Sequence, residues 1–167
     1  PVVADNCSVA GYVSDAVEPF ALGTTVVTWT VTDGAGNIAT CTQNVLVIDT
    51  ELPTITCPAE VTVSTDAGFC YATGVDLGMP VTADNCSVAS VVNDAVEPFA
   101  LGTTVVTWTV TDGSGNIATC EQNVIVIDTE LPTIICPADV TVEVDPGTCF
   151  ATGVDLGIPT IGDNCTG

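Results

Sequence analysis

Alternation of apolar and polar positions is clearest over Thr104–Thr111. Val106, Trp108 and Val110 fall on one side, and Thr107, Thr109 and Thr111 on the other. A period of two predicts a half-buried strand. The run Asp112-Gly113-Ser114-Gly115-Asn116 follows as a hairpin turn, with glycines where positive φ is needed. Ile117–Ile127 returns as the next strand. Upstream, Thr54–Val63 is rich in β-branched residues and opens after Pro53, and a turn follows at Thr65–Gly68. Tyr71–Leu77, Ser87–Val92 and Phe99–Leu101 read as further strands, with a loop at Gly78–Asn85 and an excursion at Asn93–Pro98. Helical periodicity is absent. Short strands at this spacing predict an immunoglobulin-like sandwich.

The same pattern occurs more than once. Trp29 recurs as Trp108, 79 residues on, and Cys41, Cys57 and Cys70 recur as Cys120, Cys136 and Cys149. Cys7 recurs as Cys86 and Cys165. The expected organisation is an all-β tandem array of immunoglobulin-like repeats with that period. Residues 1–50 are the C-terminal part of one repeat, 51–129 a complete repeat, and 130–167 the N-terminal part of another. The chain starts and stops in mid-repeat, since Pro1 matches Pro80 and Gly167 matches Val88, so it reads as a window cut from a longer array. A repeat of this size is small for one core, so covalent staples are expected.

Charge narrows the class. The chain has 21 acidic residues and no Lys, Arg or His. Nothing can neutralise phosphate, which excludes nucleic acid and disfavours anionic membrane surfaces. Absence of Lys also excludes Lys–Asn isopeptide crosslinks. The carboxylates are either spread over a solvated surface or compensated by bound cations, and calcium is the cation that prefers oxygen donors. No apolar run approaches the ~20 residues of a membrane-spanning helix, so no membrane insertion is expected in this segment. An enzyme is not expected, because only carboxylates, Cys and Tyr remain as proton carriers. Nine cysteines without His or a Cys-x-x-Cys pair point to disulfides rather than zinc, hence to an extracellular or cell-surface setting.

Several motifs together resemble a known family. Asp-Thr-Glu-Leu-Pro-Thr-Ile-x-Cys-Pro, from Asp49 and again from Asp128, is similar to the start of a hyalin repeat, the HYR module. The stretches 22–41 and 101–120, with Thr-Trp-Thr-Val-Thr-Asp-Gly-x-Gly-Asn, resemble its close. The Asp-Asn-Cys at 5–7, 84–86 and 163–165 resembles the cysteine-rich variant of bacterial surface arrays. The resemblance implies an extracellular module of adhesion and cell-surface architecture, without catalytic activity.

In such a sandwich three segments meet at one pole: the linker (Asp49, Thr50, Glu51), the loop between the second and third strands (Asp84, Asn85) and the last hairpin (Asp112 to Asn116). Oxygen donors converging from separate segments suit calcium. The bland alternative is that Asp-Gly-x-Gly-Asn is only a turn and Asp-Asn only a loop end. The next junction repeats the set with Asp128, Glu130, Asp163 and Asn164, while the first offers only Asp5, Asn6 and Asp33. Cys57 and Cys120 each lie four residues into neighbouring strands from the same pole, which predicts a disulfide between them. Cys70 has two candidate partners. Cys86 closes a short loop, but some ten residues of strand span about 30 Å, and a disulfide needs a Cα separation under about 7 Å. That favours Cys165 across the junction. Asn6, Asn85 and Asn164 open N-glycosylation sequons with a central Cys, and a structural role competes with the sugar.

The functional expectation is a structural fibre, stalk or adhesin shaft whose partners are copies of itself. The alternative is an adhesion module of a surface protein or secreted enzyme that binds a glycan or a cell-surface protein, with Gly11-Tyr12 (against Ser90-Val91) as the candidate patch.

Overall fold

The computed structural model describes residues 2–165. It contains strands and turns and no helix among them, so none is long and apolar enough to cross a membrane. Strands β1 (Val9–Ser14), β2 (Gly23–Asp33) and β3 (Ile38–Val47) form an antiparallel sheet in that order. The chain continues through β4 (Thr54–Thr56), β5 (Val61–Ser64), β6 (Tyr71–Ala72), β7 (Val81–Ala83), β8 (Val88–Asn93), β9 (Phe99–Ala100), β10 (Gly102–Asp112) and β11 (Ile117–Ile127). It ends with the antiparallel pair β12 (Thr133–Ile135) and β13 (Thr160–Gly162).

Strands β4 to β11 make a complete immunoglobulin-like sandwich. One layer is a sheet in the order β5-β11-β10-β8, with β5 parallel to β11 and the other pairs antiparallel. The opposing layer is two short ladders, β4–β7 and β6–β9. Val106, Trp108, Val124 and Val126 from the sheet bury against Ala72 and Phe99 from the ladders, with Ile55, Cys57, Val63 and Leu77 packed around them. The alternation along β10 places Val106, Trp108 and Val110 inward, and Asp112 continues the same buried face. Cys57 and Cys120 are disulfide-bonded across this core, with Cα atoms 5.8 Å apart. Closing so long a loop stabilises by roughly 2–4 kcal/mol.

Three elements differ from the sequence reading. Thr54–Val63 is not one strand but two, because Cys57–Glu60 carries the chain from the ladder layer to the sheet. Pro58 has no N–H for a ladder, and the Ala59 carbonyl accepts instead from Gln122 Nε2 at 2.8 Å. The strand expected over Tyr71–Leu77 is only Tyr71–Ala72. Beyond it the Glu97 carboxylate takes the amides of Gly74 and Val75 at 3.0 and 2.9 Å, replacing a strand partner. The expected loop Gly78–Asn85 contains β7, which supplies β4 with its ladder.

The N-terminal sheet repeats the register of the central one. Tyr12 pairs with Val31 and Trp29 with Cys41, as Val91 pairs with Val110 and Trp108 with Cys120. It has no opposing layer among the described residues, and Val27 is its only fully buried apolar side chain.

Candidate functional site

Asp49, Asp84 and Asp112 come together at one end of the central sandwich. Each offers a carboxylate oxygen, and the three lie within 4.8 Å of one another. Asp112 is reached because the inward face of β10 runs to its last residue, leaving its side chain 2% exposed. Asp84 follows β7 and Asp49 lies in the linker after β3, both half-buried.

Local turns aim these groups. Asp112 Oδ1 accepts the amides of Ser114 at 2.9 Å and Asn116 at 2.7 Å, and Asn116 Nδ2 donates to Oδ2 at 2.7 Å. The same Asn116 nitrogen is 3.3 Å from the Asp49 carbonyl, tying hairpin to linker. Asp84 Oδ2 accepts the amides of Cys86 and Ser87 at 2.9 and 2.8 Å. Gly113 donates its amide to the Ser87 carbonyl at 2.9 Å, and a Cβ there would fall onto Ser87 Oγ. Gly115 has φ of 92°, which side chains resist. The hairpin glycines therefore serve both the turn and its docking against the Asp84 loop.

The electrostatics are one-sided. Burial pushes the Asp112 carboxyl up, but the Asn116 side chain and the amides of Asn116, Ser114 and Gly115 outweigh it and hold the pKa below its ordinary 3.8. The Cys86 thiol is raised by burial first, although the residue as a whole is exposed, and then by a hydrogen bond with Asp49 and the charges of Asp49, Asp84 and Asp112. Asp49 Oδ2 and Asp84 Oδ1 are buried with no hydrogen-bond partner. Buried carboxylate oxygens without partners are costly, and no Lys, Arg or His exists to pair them. Three hard oxygen donors from three segments, two of the residues with a free buried oxygen, fit calcium coordination.

The other predicted ligands sit differently. Glu51 is exposed and outside the cluster; its backbone amide donates to Asp49 Oδ1 at 3.1 Å. Asn85 Nδ2 is 3.4 Å from Asp49 Oδ1, so it neighbours the site as a donor. Among the described residues Asp128, Glu130, Asp163 and Asn164 form no such cluster. Asp128 accepts the Glu130 amide at 2.9 Å and Asp163 the Cys165 amide at 2.8 Å. Glu130 instead reaches the central sandwich, its Oε2 accepting the Gly68 amide at 2.8 Å. Asn164 Nδ2 donates to the Phe69 carbonyl at 2.9 Å, and its Oδ1 is buried without a partner. Cys70 and Cys165 are disulfide-bonded beside it, with Cα atoms 5.1 Å apart.

The sugar-accepting nitrogens of Asn85 and Asn164 are thus engaged, and Asn6 is exposed. Thr166, which completes the third sequon, lies outside the described residues. Sequence reasoning placed Asn116 in the converging hairpin but named only Asp112 there as a ligand; Asn116 serves as the donor that holds Asp112 Oδ2. It did not foresee the carbonyl of Phe69 and the amide of Gly68, since backbone groups leave no sequence trace.

Fold and site together define a disulfide-stapled, acidic immunoglobulin-like module. Residues 48–126 match the HYR domain family, and this segment is an HYR module. Hyalin of Lytechinus variegatus is 36% identical over 159 residues, covering 89% of this chain and 30% of that protein. Hyalin of Strongylocentrotus purpuratus is 33% identical over 159 residues, covering 89% and 13%. The sushi, von Willebrand factor type A, EGF and pentraxin domain-containing protein 1 of Rattus norvegicus is 32% identical over 135 residues, covering 75% and 4%. The chain thus spans a minor part of each of these relatives.

Proposed function

We propose that this chain is a non-enzymatic shaft segment of an extracellular or cell-surface protein, built of HYR modules set end to end. The observation that carries this reading is the double connection at the far pole of the central sandwich. The backbone leaves β11 through Asp128–Pro132, and Cys70–Cys165 joins the same two bodies a second time. Glu130 on the Gly68 amide and Asn164 on the Phe69 carbonyl grip the turn between the covalent links. Two connections at separate points oppose bending as well as separation. The HYR match and the hyalin relatives support an adhesion-type extracellular module, and the Asp-Asn-Cys variant supports a bacterial surface array.

Calcium belongs to the same proposal. Bound by Asp49, Asp84 and Asp112, it would neutralise the like charges where linker, loop and hairpin meet. The binding-module alternative is weaker at its named patch. Val91 packs on the central core and Tyr12 holds the same register in β1, where it meets Trp29 at 6.1 Å between ring centroids. Tyr12 therefore lies on the face of β1 that corresponds to the core-facing side of β8, where its ring is 55% exposed.

Electron microscopy of a longer stretch of the protein tests the shaft. The expected image is a thin, straight filament with an axial repeat of about 35–40 Å, the length of ten-residue strands plus turns. A flexible string without regular spacing would overturn the reading.

A further inference from the structure

The sheet β5-β11-β10-β8 has a second face, turned away from the core, which neither the joint nor the acidic cluster uses. The alternation along β10 and β11 fills it with hydroxyls and β-branched apolar side chains. Thr109 stands opposite Thr119, and Val105 opposite Asn123. The N-terminal sheet repeats this outer face, with Thr30 opposite Thr40 and Val26 opposite Asn44. Val92, Val105 and Ile117 on the central face, and Val13, Val26 and Ile38 at the same places on the N-terminal one, are between 51% and 67% exposed. The central sandwich has both its layers, so this exposure belongs to the module itself.

We propose that these faces are a lateral contact between two copies of the chain. The outer face of β1-β2-β3 on one copy packs against the outer face of the central sheet on another. The contact goes beyond the end-to-end joint, because it sets shafts side by side.

Charge identifies a second copy as the occupant. The chain carries a net charge of -21 with no cation, so two copies repel wherever carboxylates meet. Between residues 51 and 129 only Glu121 projects from the outer face; the other acids lie in loops, turns or at the end of a strand. Glu60 touches its rim, where Asn123 Nδ2 donates to Oε2 at 3.2 Å. On the N-terminal face Thr42 takes the place of Glu121, and no carboxylate projects among the described residues. A basic partner would be drawn to the acid-rich poles and loops instead. Val, Ile and Thr are stiff at χ1, so they lose little freedom on packing, and exposed apolar patches of this kind mark interaction surfaces.

The Thr42–Glu121 exchange selects which faces meet. Glu121 pairs with Thr107 near the middle of the central face, as Thr42 pairs with Thr28 on the N-terminal one. Two central faces together would set Glu121 against Glu121. Two N-terminal faces together would leave the equally apolar central face bare. One of each covers both, and gives Glu121 the hydroxyls of Thr28 and Thr42 as donors. Strands of about 35 Å spaced ~4.8 Å apart give the N-terminal face roughly 450 Å². Both sides together bury about 900 Å², just under the ~1,000 Å² of a lasting interface. A single contact is therefore weak, and repetition along two shafts multiplies it.

The test is analytical ultracentrifugation of the 167-residue chain up to ~1 mM, the range of weak contacts. Free thiols are alkylated beforehand, so that disulfide exchange contributes nothing, and about 0.15 M salt screens the net charge. The parent should associate reversibly. Each substitution installs the residue that the other repeat carries at the same place, so melting of the central sandwich should hold. Thr42→Glu should weaken association at least about tenfold, because it sets carboxylate against carboxylate. Glu121→Thr should tighten it, since no charge is then desolvated. The double variant keeps one carboxylate per contact and should return to the parent value. Response to Glu121→Thr alone would mean two central faces, and response to Thr42→Glu alone two N-terminal ones; either overturns the pairing. A chain that stays monomeric gives the face to another occupant and overturns the inference, as does association indifferent to both substitutions.

Discussion

Trp108 donates its indole N–H to Gln122 Oε1 at 2.9 Å in the middle of the central sandwich. The Gln122 amide then donates to the carbonyls of Ala59 and Leu77, so one buried side chain ties sheet to opposing layer. A buried polar group left unpartnered costs about 1–3 kcal/mol. Gln122→Met keeps the volume and orphans an indole N–H and two carbonyls. Chemical denaturation should show a loss of roughly 3 kcal/mol. Gln43→Met should change little, because its indole bond is exposed and, among the described residues, its amide donates to no carbonyl.

Much of this was legible in the sequence, and the exceptions have physical causes. The alternation of β10 and the turn after it depend on local periodicity and glycine, so the inward positions of Val106, Trp108 and Val110 could be read directly. Thr54–Val63 looked continuous because β-branched residues favour a strand in either layer, while the change of layer at Pro58 depends on Gln122, more than sixty residues away. Asp49, Asp84 and Asp112 were nameable because a turn or a linker fixes each locally. Glu51 was expected among the ligands and lies outside the cluster, since a linker side chain can face along the joint or across it, and its counterpart Glu130 faces across.

Protonation should act on the Asp112 hairpin in one direction. Its pKa in the fold lies below the ordinary 3.8, so the fold favours the charged form. The stabilisation is present above 3.8 and is lost as pH falls through the lower folded value. In metal-free protein, Asp112→Ala should melt below the parent at neutral pH, since the Ser114 and Asn116 amides lose their acceptor. The difference between the two should narrow as the pH drops below 3.8. A gap that stays constant across the titration would show that the carboxylate charge contributes nothing.

Chelation should have the signature of a ligand lost from the folded state. If calcium sits among Asp49, Asp84 and Asp112, added calcium raises the melting temperature and chelator reverses it. Asp84→Asn should shrink that response, because it removes one charge from three while leaving a hydrogen-bond acceptor for the Cys86 and Ser87 amides. Glu51→Gln should leave the response intact, since that side chain is outside the cluster. Melting curves that superimpose with and without calcium would remove the metal from the account of this site.

The joint beyond β11 should lose its stiffness when its second connection is cut. Cys70 and Cys165 hold the Thr65–Cys70 turn against the Asp163–Cys165 loop, and the backbone makes the other link through Asp128–Pro132. With both cysteines changed to serine, the cross-joint hydrogen bonds left among the described residues include Glu130 on Gly68 and Asn164 on Phe69, both exposed. Exposed hydrogen bonds contribute only about 1 kcal/mol each, too little to fix an angle against thermal motion. A short proline-containing linker still limits how far the bodies fold back. Small-angle scattering of the double variant should therefore show a broader range of joint angles and a smaller mean length than the parent. Melting of the central sandwich should change little, because its own staple, Cys57–Cys120, is untouched. Adding Glu130→Gln should widen the range further, whereas identical profiles for parent and double variant would assign the stiffness to the linker alone.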